Sequence, residues 1–290
     1  MATIQQWVAG ARPRTLPAAF APVAVGTGAA AAQGEAELGW AILALLVAVS
    51  LQVGVNYAND YSDGIRGTDN SRVGPVRLVG QKLADPLAVK TAAYASFGFA
   101  ALAGMALVAV SGAWLLLFIG AAAIVAAWRY TGGDKPYGYR GLGEVAVFVF
   151  FGLVAVLGTQ WTQSHALSLQ GLAGAIAIGC FACALLVVNN LRDIPGDRQV
   201  GKRTLAVRLG PVATRTFYAG LIGVAYFMVP LASIGSPWVL ITLVAAPVAA
   251  VPLRLVMSRA TGAALIPALA WTGLAQIAFA VLFAIGLGVS

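Results

Sequence analysis

Apolar residues in this chain come in long runs separated by short polar clusters. Each run is close to the roughly 20 residues a helix needs to cross the hydrocarbon layer of a bilayer. The pattern predicts helices over 15–33, 38–59, 87–110, 112–130, 144–163, 167–191, 214–234, 237–256 and 262–288. Nine such spans leave no room for a separate soluble domain, so residues 1–290 are expected to form one transmembrane unit.

Composition agrees with this reading. The chain is 60% apolar and 10% charged, with a mean hydropathy of +0.86, whereas a soluble domain carries about 25% charged residues. The fold class is therefore an all-α polytopic membrane protein. All 18 Lys and Arg residues lie before the first predicted span, after the second, fourth, sixth and eighth, or in the adjoining span ends. Loops after the first, third, fifth and seventh contain none. By the positive-inside rule the N-terminus and the even loops face the cytoplasm of a cell membrane, and a ninth span leaves the C-terminus outside. The net charge of +8 thus belongs to one membrane face and gives no reason to expect nucleic acid. Arg12 and Arg14 precede the first apolar run without a small-residue cleavage pattern, so that run is expected to remain in the mature protein. The 34 glycines are spread over the helices, so no dimer face stands out. Cys180 and Cys183 form a C-x-x-C deep in an apolar helix with no second pair, which reads as packing. The lone histidine, His165, falls in an outer loop.

Against this background the acidic residues are concentrated. Six of the ten, Asp60, Asp63, Asp69, Glu144, Asp193 and Asp197, lie in or beside two motifs and one loop on the cytoplasmic side. The first motif is Asn56, Asp60 and Asp63, and the second is Asn189, Asp193 and Asp197. At 100° per residue, Asp60 lies about 40° round the helix from Asn56, and Asp63 about 20° the other way, so all three are expected on one face. The second set is spaced i, i+4, i+8, with Pro195 and Gly196 expected to make its end irregular. Two clusters of hard oxygen ligands on one membrane face suit Mg²⁺, which binds through a few carboxylates together with substrate phosphates. Basic residues surround them: Arg72, Arg77, Lys135, Arg140, Lys202 and Arg203. Carboxylates, a divalent metal and cations together match the needs of a diphosphate leaving group.

At these residues the chain resembles the UbiA superfamily of intramembrane aromatic prenyltransferases. Asn189-x₃-Asp193-x₃-Asp197 followed by Gly201-Lys-Arg-Thr-Leu205 matches that family's second motif. The first motif departs from N-x₃-D-x₃-D, since only two residues separate Asp60 and Asp63. That short form resembles the branch acting on 1,4-dihydroxy-2-naphthoate in menaquinone synthesis. So do Ala11-Arg-Pro-Arg-Thr-Leu-Pro17, Gly74-Pro-Val-Arg77 and Tyr137-Gly-Tyr-Arg-Gly-Leu-Gly-Glu144. The resemblance implies nine transmembrane helices around a central cavity. It implies a polyprenyl diphosphate and an aromatic acid as substrates, with Mg²⁺, as two ions bridging the diphosphate, held by Asn56, Asp60, Asp63, Asn189, Asp193 and Asp197. The four aspartates are then the catalytic residues, and Arg72, Arg77, Lys135, Arg140, Lys202 and Arg203 hold the diphosphate. Tyr130, Tyr137, Glu144, Asp69 and Arg12 are candidates to steady the allylic cation or bind the acceptor.

Rival readings are distinguishable. Other members of the superfamily use 4-hydroxybenzoate, homogentisate, a chlorophyll precursor or haem as acceptor. A CDP-alcohol phosphotransferase would carry one contiguous Asp motif, whereas here two lie more than a hundred residues apart. A cation-coupled transporter would place charge or broken helices at mid-membrane, where this chain has only prolines such as Pro22, Pro247 and Pro267.

Overall fold

A backbone in hydrocarbon has to satisfy its own hydrogen bonds, which restricts long apolar segments to helices. The computed structural model describes residues 2–68 and 76–290, and it is all-helical, without strands among the described residues. The helices are α1 Ile4–Ala11, α2 Pro17–Ala31, α3 Leu38–Ile65, α4 Pro86–Ser111 and α5 Leu115–Arg129. They continue as α6 Gly143–Ser164, α7 Leu169–Gln199, α8 Leu205–Ala232, α9 Pro237–Met257 and α10 Gly262–Gly288. Seven of these, α3, α4 and α6 to α10, are long and apolar enough to cross a membrane, and α2 and α5 are shorter apolar helices. All nine coincide with the predicted spans to within a few residues, except at three ends.

Those ends lie near the polar clusters. Helix α3 runs to Ile65 and α7 to Gln199, each beyond its predicted limit. Pro195 does not break α7, which stays helical through Gly196 and Asp197. Helix α8 begins at Leu205 rather than 214 because a short helical piece precedes a break at Gly210, whose φ of 77 is left-handed, with Pro211 behind it. The short α1 went unpredicted. Thr3 and Gln6 form a capping box at its start, and Ile4 and Val8 are exposed along it.

Helix α7 is the centre of the molecule, with 78% of its most apolar window buried. Residues of α2, α6, α8, α9 and α10 share one apolar core with it. A second core joins α3 and α4 to Trp7 of α1, Leu78 and Val79 of the following loop, and Trp128 of α5. Helix α6 contains a π-helical stretch, Phe148–Val154, of a kind that often marks functional sites. Gly152 in it touches α7, since a Cβ there would lie 2.6 Å from the Gly179 Cα. Cys180 and Cys183 are free and buried on α7.

Candidate active site

Between the two cores lies a cavity of about 1040 Å³. Its walls come from α2 to α7 and the start of α10, and are apolar over most of their length, with Leu51, Met105, Ile124 and Phe150 among them. Polar groups gather at one end: Asn56, Asn59, Asp63, Arg77, Asn189, Asn190, Arg192 and Lys202 all line it.

The extra turns of α3 carry the first motif. Asn56 faces the cavity and ties down the N-terminal segment, its Nδ2 donating to the Ala11 carbonyl at 2.8 Å and to Thr15 Oγ1 at 2.9 Å. Asp63 also lines the cavity. Asp60, one turn on from Asn56 in the same continuous helix, does not reach the cavity wall. Its Oδ2 accepts from the Leu78 amide at 2.8 Å and its Oδ1 from the Val79 amide at 3.0 Å, fully buried. Buried amides need acceptors, and the returning loop finds both on this one carboxylate. The clamp fixes the residues directly after Arg77, which is itself buried on the cavity wall.

Continued helicity of α7 keeps the second motif on one stripe. Arg192, inside the motif's spacer, grips Asp193 through two bonds, Nε to Oδ1 at 2.7 Å and Nη2 to Oδ2 at 2.9 Å. Its Nη2 also donates to Asn189 Oδ1 at 2.7 Å. Two-point guanidinium–carboxylate pairs are strong and directional. Asp197 pairs with Lys202 at 3.9 Å, and the Lys202 amide donates to the Asp197 carbonyl at 2.8 Å.

Tyr139 brings the two motifs together. Its hydroxyl donates to Asp63 Oδ1 at 2.7 Å, and the Lys202 ammonium stands 4.9 Å from its ring centre. A chain Asp63–Tyr139–Lys202–Asp197 thus links α3 to α7 across the rim. Burial first, and the charge of Asp63 second, push the Tyr139 phenol above its ordinary pKa, so it stays a donor. Arg66 braces the same corner through the carbonyls of Thr131 and Gly133.

Among the remaining residues named from sequence, Arg12, Arg77, Lys202, Tyr130 and Tyr137 line the cavity. Tyr137 spends its hydroxyl on the Ala126 carbonyl at 2.9 Å, and burial raises its pKa to about 12. Lys135, Arg140 and Arg203 are exposed and stand off the cavity wall. Their backbone explains this for two of them. Arg140 ends the short turn Tyr137–Arg140, and the Arg203 amide donates to the Tyr139 carbonyl, leaving both side chains outward. Glu144 is buried but is not on the wall. Arg72 and Asp69 lie outside the described residues. Sequence reasoning missed Tyr139, Arg192 and Asn190. Tyr139 sits in the same stretch as Tyr137, while Arg192 and Asn190 fall at spacer positions of the second motif.

The donor chemistry at this rim fits Mg²⁺. Asp63, Asn56 and Asn189 offer hard oxygens on the wall, with Asp193 and Asp197 on the same helix as Asn189. Among the described residues no three His, Cys, Asp or Glu side chains form a metal cage by themselves. Mg²⁺ prefers the alternative, one or two carboxylates completed by phosphate oxygens and water.

Comparison with known proteins shows the family and the fold. Residues 19–272 match the model of the UbiA prenyltransferase family. The chain is 56% identical over 280 residues to 1,4-dihydroxy-2-naphthoate octaprenyltransferase of Mycobacterium tuberculosis, covering 97% of this chain and 96% of the relative. To the protein of the same name from Escherichia coli it is 39% identical, covering 99% and 96%. Its fold is similar to that of a UbiA homolog from Archaeoglobus fulgidus solved with GPP and Mg²⁺. The TM-score is 0.69 at 15% identity, covering 98% of this chain and 100% of the other.

Proposed function

The chain belongs to the UbiA prenyltransferase family, and we propose that it transfers a polyprenyl group from its diphosphate to 1,4-dihydroxy-2-naphthoate with loss of CO₂, within menaquinone biosynthesis. The observation that carries this reading is the pair of Asn/Asp motifs joined through Tyr139 and Lys202 at the polar end of an apolar cavity. The apolar length suits an isoprenoid tail and the polar end its diphosphate. The acceptor follows from the naphthoate enzymes that this chain resembles along its length.

In the reaction the allylic C–O bond breaks and diphosphate departs. The ring carbon bearing the carboxylate forms the new C–C bond, and the C–CO₂ electron pair returns to the ring as CO₂ leaves. Arg77, Arg192 and Lys202 hold the diphosphate and offset the charge that grows on it, with Arg72 a further candidate. Lys135, Arg140 and Arg203, being exposed, act at most on the entering diphosphate from outside the wall. Asn56, Asp60, Asp63, Asn189, Asp193 and Asp197 would hold Mg²⁺, proposed as two ions, with Asp63, Asn56 and Asn189 the members on the cavity wall. The metal, when bound, supplies Lewis-acid assistance to leaving-group departure. Asp60 holds the loop behind Arg77, and each of its oxygens keeps a second lone pair for a ligand. Tyr139 orients Asp63. Tyr130 and Tyr137 face the cavity where ring faces steady an allylic cation, and Arg12 stands at the same end for the acceptor carboxylate.

The nine apolar helices α2 to α10 cross the membrane as one domain spanning 1–290, with α1 on the cytoplasmic surface and the C-terminus outside. The charge asymmetry of the loops supports this orientation. The test is an assay of purified protein with polyprenyl diphosphate, Mg²⁺ and a panel of aromatic acids, read by product mass. The naphthoate should give a product lacking the carboxylate. Prenylation of 4-hydroxybenzoate with its carboxylate retained, and none of the naphthoate, would overturn the acceptor assignment.

A further inference from the structure

Asn190 is 6% exposed and lines the cavity, while Glu144, 5% exposed, lies behind it. Asn190 Nδ2 donates to Glu144 Oε1 at 3.0 Å, and the Glu144 backbone is itself pinned to α7, its carbonyl accepting from Cys183 Sγ at 3.1 Å. A carboxylate only accepts, so it dictates which end of the amide faces it. The carbonyl end, Oδ1, is left for the other side. Among the described residues no hydrogen bond reaches that oxygen. Since Asn190 lines the cavity, that oxygen is open to a ligand carrying an O–H, and one such hydrogen bond contributes about 1 kcal/mol.

A diphosphate cannot supply that O–H, since its oxygens are acceptors. An aromatic acceptor with phenolic hydroxyls can. The wall beside Glu144 is also suited to a ring. Tyr130 packs over Gly143, where a Cβ would come within 3.3 Å of both the Tyr130 hydroxyl and Leu186 Cδ2, and Tyr130 and Leu186 line the cavity with Asn190.

We infer that Asn190 is a specificity-determining residue, its Oδ1 accepting a hydrogen bond from a hydroxyl of the aromatic acceptor, and that Glu144 is a positioning residue which locks the amide in that orientation. This rests on the prenyltransferase reading above. Accepting from the phenol also pushes electron density into the ring, which favours attack on the allylic cation. Glu144 therefore acts through Asn190 and does not itself touch the acceptor.

The test compares 1,4-dihydroxy-2-naphthoate with its two monohydroxy analogues, 1-hydroxy- and 4-hydroxy-2-naphthoate, as competing ligands of wild type, Asn190→Ala, Glu144→Leu and Glu144→Gln. Wild type should bind one analogue about tenfold more weakly than the diol, the worth of one hydrogen bond. That preference should collapse in Asn190→Ala and in Glu144→Leu, with KM for the polyprenyl diphosphate within about twofold of wild type. Glu144→Gln should retain it, because its amide oxygen still accepts from Asn190. If Asn190→Ala does not insert, Glu144→Leu carries the same readout. An unchanged preference in the variants overturns the inference. So does a shift in Mg²⁺ requirement without loss of preference, which would make Oδ1 a metal ligand. Wild type that prenylates no aromatic acid would instead sink the proposed function, a separate result.

Discussion

On the proposed function, single side chains at the rim divide into those that would meet substrate and those that hold others in place. Tyr139 belongs to the second kind, because its hydroxyl binds Asp63. Hydrogen bonds to charged groups contribute about 1.5–3 kcal/mol, so Tyr139→Phe is expected to lower kcat/KM by roughly 10- to 100-fold while the protein still folds. Steady-state kinetics and thermal unfolding in detergent check both halves. Asp60→Asn should act differently. Its amide nitrogen would face one of the two backbone amides that Asp60 now accepts from. Loss of one buried bond costs about 1–3 kcal/mol, and hydrogen exchange should rise at Leu78 and Val79. Unchanged exchange there would contradict the clamp. Spacing alone put Asp60 beside Asn56 and Asp63, and helical angles cannot reveal which acidic group a returning loop will claim. Arg192 was equally hidden, since no feature of a spacer arginine in sequence tells that it folds back onto Asp193.

Helices were the most legible level, because runs of apolar residues in a bilayer have few other outcomes. The limits of α3 and α7 were underestimated for a physical reason. Hydropathy falls where Asp60, Asp63, Asp193 and Asp197 begin, yet the backbone stays helical because those side chains find partners at the rim. Close contact between α6 and α7 depends on Gly152, which abuts Gly179. Overpacking a tight site costs about 1–3 kcal/mol. Gly152→Val is therefore expected to lower the unfolding temperature in detergent and to reduce turnover through the displaced π-helical stretch. A variant as stable as wild type would show that the two helices adjust freely. Helix α1 escaped prediction because its eight residues are too few for a span and its capping box is a local signal.

For the whole molecule, apolar runs made the helix order legible and charge bias set the expected orientation, while the cavity needed coordinates, because it is a gap between packed clusters rather than a property of any segment. Orientation makes its own prediction. His165→Cys, in an exposed loop, should react with a membrane-impermeant maleimide in intact cells, and Lys135→Cys only after permeabilisation. The reverse pattern would invert the topology. The central claim is that a diphosphate leaves at the polar rim as the naphthoate ring is prenylated and loses its carboxylate. Its most direct test uses carboxyl-labelled 1,4-dihydroxy-2-naphthoate with polyprenyl diphosphate and Mg²⁺. The account predicts labelled CO₂ in equal amount to diphosphate released, both abolished by Asp63→Asn. Label retained in a prenylated product, or CO₂ release that continues in Asp63→Asn, would contradict it.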